Sequence, residues 1–301
     1  MSSMDENYQV HCANCAAAAN SREMTFDNNI KSIEDKGDVL LIRDDDMTPG
    51  TIFQFPNHLV GTEEAKRMIL TILVCQEPIA YLHDFLTEML DGTGVTLEEH
   101  MLRIRNPVKT VRVNARTRDL DMSNFYHSVV RAATSDGTSS WIVDVSGAQY
   151  SIFKACLAER IYRKRHVVST LAAYRSGTNK DIYEKMEDMK GNGPLLARIG
   201  WFAVDKVKTA VFQWRTKSGF SLSALMGKPE DIFVEGRKGL VEHIKVSLDN
   251  FAVEVRAKFS ADIGRTVIYS QQESWKLGIG LGLHQDVTKM MEEISKKNRL
   301  Y

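Results

Sequence analysis

The sequence predicts an α+β protein, a small antiparallel sheet with packed helices followed by a mostly helical domain. Three observations carry this. Residues 127–150, HSVVRAATSDGTSSWIVDVSGAQY, place two β-prone runs around a turn-forming SDGTSS. From Thr62 the apolar residues recur at helical spacing, and after the hairpin most long runs do so again. The implied organisation is an N-terminal cysteine-containing segment (1–30), an α+β domain (31–176) and a helical domain (177–301).

In chain order, residues 1–30 hold HCANCAAAAN, whose alanines favour a helix start. Strands are expected at 38–43 and 51–55, around an acidic turn and Pro49-Gly50. TEEAKRMILTILV reads as a helix with Thr62 as N-cap and Glu63 and Glu64 in its first turn, ended or kinked at Pro78. PIAYLHDFLTEML is a second helix, stopped at Gly92, and TLEEHMLRIR a third, capped by Thr96. PVKTVRVNA (107–115) alternates as a strand and is expected to join the His127 hairpin in one sheet, with Val108, Val111 and Val113 available to a core. Residues 153–176, 179–190, 194–217 and 229–259 read as helical, with GNGP at 191–194 as the clearest linker. The last element, 272–298, is helical apart from Gly278, Gly280 and Gly282.

Composition excludes several classes. Lys plus Arg equals Asp plus Glu at 39 each, so no net field draws the chain to nucleic acid or acidic lipid. No apolar run is long enough to span a membrane, and MSSMDENYQ lacks the order of a signal peptide. Four cysteines in 301 residues are too few for a disulfide scaffold, which leaves a reducing, cytoplasmic setting as the expectation.

The chemistry centres on His127 and Asp144. A hairpin brings residues near its open ends together, and a carboxylate that fixes an imidazole's tautomer is half of a Cys-His-Asp arrangement. The bland reading is a strand histidine bonded within the core and an aspartate capping a turn. The residue order resembles that of papain-like and transglutaminase-like cysteine enzymes, in which a strand histidine precedes an Asp or Asn on the next strand. WIVDVSGAQY looks like a segment of fungal proteins often linked to an MYND zinc finger. The resemblance covers about thirty of the 301 residues. It implies a papain/transglutaminase-like module, either active or retained as a pseudoenzyme.

Such a site needs a thiolate, best placed at a helix N-terminus. Cys15, in QVHCANCAAAA, precedes the alanine run, and Gln9 stands six residues earlier. That is where the papain family places the glutamine of its oxyanion hole. The flanking Ala13, Asn14 and Ala16 depart from the papain signature. Cys75, within ILTILVCQEP, is expected to be a core thiol, since apolar surroundings raise a thiol's pKa. Cys12 and Cys15 make a single knuckle beside His11, and a zinc centre needs four ligands, so no metal is expected.

Other signals are weaker. LGIGLGLH (277–284) lacks the third glycine of a dinucleotide loop and predicts no cofactor. RIYRKRH (160–166) is a basic cluster in which Tyr162 is available for stacking, but on a neutral chain it reads as a solvated helix face. The amphipathic runs 195–214 and 240–259 are expected to pack on one another.

Two functions follow. One is a non-catalytic interaction or regulatory protein with a protein or peptide partner and neither membrane nor nucleic acid, favoured because no cysteine sits in a convincing motif. The alternative is a cysteine-dependent acyl-transfer enzyme, an amide hydrolase or transamidase. In it Cys15 is the nucleophile, His127 the base, Asp144 its orienter and Gln9 an oxyanion donor.

Overall fold

Strand pairing, more than local propensity, decides this architecture. The computed structural model describes residues 30–44, 55–72, 74–105, 107–115, 118–121, 126–189, 192–276 and 282–301. The fold is mixed α+β, with two small sheets and several helices. Gln9, Cys12, Cys15 and all but Phe55 of the expected strand at 51–55 lie outside the described residues, as does most of the 277–284 glycine run.

The first sheet has the order β1 (Ile30–Asp35), β2 (Val39–Asp44), β4 (Thr110–Ala115), β5 (Arg118–Asp121). Gly37, at φ +85°, makes the β1–β2 turn, and its N–H donates to Asp35 Oδ1 at 3.0 Å. α1 (Glu63–Leu70) is capped by Thr62, whose hydroxyl accepts the Ala65 N–H. It buries Met68, Ile69 and Leu70 with Leu40, Ile42, Val111 and Val113 from the sheet. Val108 is exposed. β4 pairs with β2 in parallel, so 107–115 belongs to this sheet and not to that of the His127 hairpin.

The second sheet is antiparallel throughout, in the order β8 (Cys156–Ala158), β7 (Ser140–Val143), β6 (His127–Thr134), β3 (Val95–Ile104), β9 (Val167–Arg175). Two corrections arise here. TLEEHMLRIR is β3 and not a helix, because it is paired along both edges, by β6 and by β9. Bonding on both sides outweighs the helical preference of its Leu, Glu and Met residues. Likewise 153–176 is not one helix: only α3 (Glu159–His166) is helical, between β8 and β9.

A further correction concerns the helix around Cys75. α1 ends at Leu70, and a new helix, α2 (Gln76–Leu90), begins with Cys75 as its N-cap. Pro78 therefore stands in the first turn, where a missing N–H costs nothing, and the second helix, expected from Pro78, starts two residues earlier.

From residue 178 onward the elements are α4 (Thr178–Glu187), α5 (Asn192–Ser218), α6 (Leu222–Met226), α7 (Glu230–Lys276) and α8 (Gly282–Asn298). The amphipathic runs do pack together: Ile199, Val211 and Trp214 of α5 meet Leu240, Ile244 and Leu248 of α7.

Glu99 on β3 ties α4 to the second sheet. Its carboxylate accepts the Gly177 N–H at 2.8 Å, the Asn179 N–H at 2.9 Å and Asn179 Nδ2 at 2.6 Å. Burial outweighs these donors and pushes the carboxyl up to about 7. A carboxyl with a raised folded-state pKa stabilises the fold fully below its unfolded value, and that contribution is lost as pH rises through about 7. We expect urea unfolding to show a loss of about 3 kcal/mol between pH about 4.5 and about 8 from this group, and Glu99→Gln to flatten that dependence. An equally steep fall in Glu99→Gln would contradict the assignment.

Candidate catalytic site

His127 opens the central strand β6, held opposite Leu102 of β3, and Asp144 follows directly on β7. The Asp144 N–H donates to the Ala155 carbonyl at 2.7 Å, which fixes the residue beside the start of β8. The two side chains meet as the hairpin predicts, with His127 Nε2 2.8 Å from Asp144 Oδ1. Both side chains are wholly buried. Ionised aspartate can only accept, so Nε2 carries the proton and the tautomer is set.

The GAQY run folds as a 3-10 turn, Gly147–Tyr150, that walls the pair. A Cβ on Gly147 would collide with the Asp144 carboxylate, so only glycine fits there. Tyr150 packs edge-to-face on the His127 ring with centroids 5.0 Å apart. Beyond the turn, Ser151 Oγ donates to the Lys109 carbonyl at 2.9 Å, and Arg67 Nη2 to the Phe153 carbonyl at 3.2 Å. These bonds tie the wall to α1 and to the segment entering β4.

With Nε2 committed to Asp144, Nδ1 is buried and has no hydrogen-bond partner among the described residues. The thiol coupled to this imidazole is that of Cys75. Cys75 is half-buried at the N-terminus of the fifteen-residue α2, where the helix dipole favours a negative charge. Burial works against its ionisation, but His127 and hydrogen bonds from the backbone and hydroxyl of Ser128 prevail and lower its pKa. Burial likewise opposes the imidazolium. The Asp144 carboxylate and the Cys75 side chain overcome that and raise His127 well above its ordinary value. The two shifts run in opposite directions, and together they favour a thiolate–imidazolium pair.

Sequence reasoning placed Cys75 in the core of an apolar helix, and the structure corrects this: Cys75 stands at the N-terminus of α2. The signal was Pro78: the helix read as beginning there starts two residues earlier, at Gln76, which puts Cys75 at its N-terminus. Ser128, Tyr150 and Tyr162 carried no signal that separated them from core residues. Tyr162 is fully buried and therefore not available for stacking on a base. No helix is long and apolar enough to cross a membrane, and no cluster of three or more His, Cys, Asp or Glu could hold a metal, among the described residues.

Gly147→Ala forces either the carboxylate or the turn to move. We expect a loss of about 1–3 kcal/mol in thermal or urea unfolding, as for overpacking at a tight site. A neutral substitution would contradict the close approach of Gly147 to Asp144.

Compared with protein-family models, with curated proteins and with solved structures, the chain finds no match.

Proposed function

We propose that the chain is a cysteine-dependent acyl-transfer enzyme with a papain/transglutaminase-like site. Cys75 is the nucleophile in place of Cys15, His127 the acid–base, and Asp144 the orienter of its ring. The observation that carries this is a buried His127 whose Nε2 is bound to the Asp144 carboxylate and whose Nδ1 is left open, with the Cys75 thiol at the N-terminus of α2 interacting with its ring.

The steps balance without a cofactor. The thiolate attacks a carbonyl carbon, forming the S–C bond and moving an electron pair onto oxygen. As the carbonyl re-forms, the bond to the leaving amine breaks and the imidazolium supplies its proton through Nδ1. A water or an amine then attacks the thioester, His127 takes the proton released, and the thiolate departs. A thiolate of this kind needs a reducing setting, in keeping with a cytoplasmic location.

A second reading is a non-catalytic module that binds a protein or peptide. It is favoured by the apolar side chains left exposed on the long helices, Phe212 of α5 and Val246 and Val253 of α7.

p-Nitrophenyl acetate separates the two. We expect acetyl transfer to Cys75, read by peptide mass spectrometry with the release of nitrophenolate, to outpace transfer to the exposed Cys156. His127→Ala should slow it by about a hundredfold or more, the scale of general acid–base assistance. Equal, slow acetylation of both cysteines, unchanged in His127→Ala, would overturn the enzyme reading and leave the binding module.

A further inference from the structure

Asp144 is useful to His127 only while one carboxylate oxygen is kept on Nε2, and something must hold it there. Oδ1 takes the imidazole at 2.8 Å and also the Ser146 N–H at 3.3 Å. Oδ2 takes the phenol of Tyr162, whose O–H donates to it at 2.7 Å within the buried interior. Tyr162 comes from a separate element, α3, and its ring is enclosed by Leu102, Val129, Ile142 and Tyr150.

α3 is itself anchored. Glu159 in its first turn receives Arg131 Nε from β6 at 2.8 Å and Arg163 Nε at 2.6 Å. Arg163 also donates to Thr170 Oγ1 of β9 at 2.7 Å and reaches His100 Nδ1 of β3 at 3.1 Å. His100 Nε2 in turn meets Glu98 at 3.0 Å. The short helix that carries the phenol is thus bonded to three strands of the sheet that carries His127.

We propose that Tyr162 is a positioning residue for the site, acting on His127 through Asp144; this rests on the Cys75–His127–Asp144 reading above. The phenol fixes the carboxylate rotamer and satisfies the oxygen that faces away from the histidine. A buried carboxylate left with that oxygen bare takes up a proton or turns to another donor, and either change removes the acceptor from Nε2–H. The imidazolium then loses its support, and the thiolate loses its imidazolium.

Tyr162→Phe removes one oxygen and keeps the ring. The test is iodoacetamide alkylation of Cys75 across pH, with Cys156 as the internal reference, in wild type, Tyr162→Phe, His127→Ala and Ile152→Val. Ile152→Val loosens the same apolar cluster without touching the carboxylate. We expect wild-type Cys75 to alkylate well ahead of Cys156 below neutral pH. In Tyr162→Phe that advantage should shrink by about tenfold, and the acid limb of the profile should move to higher pH, as expected for loss of a hydrogen bond to a charged group. Ile152→Val should lose stability with no change of profile. A Tyr162→Phe profile that overlays wild type, while His127→Ala abolishes the advantage, would overturn the positioning role and leave the site reading intact. No advantage for Cys75 in wild type would overturn both.

Discussion

The hydrogen bond between His127 and Asp144 is the constraint on which the rest of the structure depends. Both partners lie out of water, where an unpaired charge is expensive, and removing one partner of such a pair costs about 3–5 kcal/mol. The surroundings are arranged accordingly. Every acceptor direction of the carboxylate that the structure describes is met, by an imidazole, a backbone N–H and a phenol. Among the described residues the imidazole is met on one nitrogen only, and the group coupled to the ring is the thiol of Cys75. A histidine satisfied on all sides would be a structural residue; on the proposed reading the open nitrogen of this one serves the sulfur.

The two sheets serve this pair differently. The second sheet delivers His127 and Asp144 on adjacent strands, with β3 bonded along both edges to keep the register. A slip of one residue would turn His127 to the opposite face. The first sheet and α1 reach the site indirectly, by bracing the 3-10 turn through Ser151 and Arg67. α2 then contributes the thiol at its N-terminus and packs against α4 and α5 behind it. Function on this reading sits where a helix end meets a sheet end, and the helices after residue 178 support that junction.

Much of this was legible in the sequence, and the parts that were not have physical causes. The hairpin at 127–144 was legible because turn chemistry and β-branched runs agree there, and the His127–Asp144 contact followed from it. The mutual packing of α5 and α7 was legible because a 3.6-residue period over many turns is a strong signal. β3 was misread because VTLEEHMLRI has helix-forming composition, and its pairing on two edges is a tertiary fact. Cys75 was misread for a related reason. Apolar residues on both sides suggested one continuous helix, whereas the chain breaks after Leu70 and restarts at Gln76. Tyr162 sits in a run of arginines and lysines that looks solvated, and only the fold turns its ring inward.

The most direct test of the central claim is the ionisation of Cys75 itself. Thiolate absorbance in the ultraviolet, followed across pH in wild type and subtracted from that of Cys75→Ser, isolates this one group. The account predicts that Cys75 titrates below the value of about 8.5 for an ordinary thiol. It also predicts that Asp144→Asn moves the titration back toward that value. A difference spectrum that titrates near the ordinary value in wild type, or one indifferent to Asp144→Asn, would contradict it.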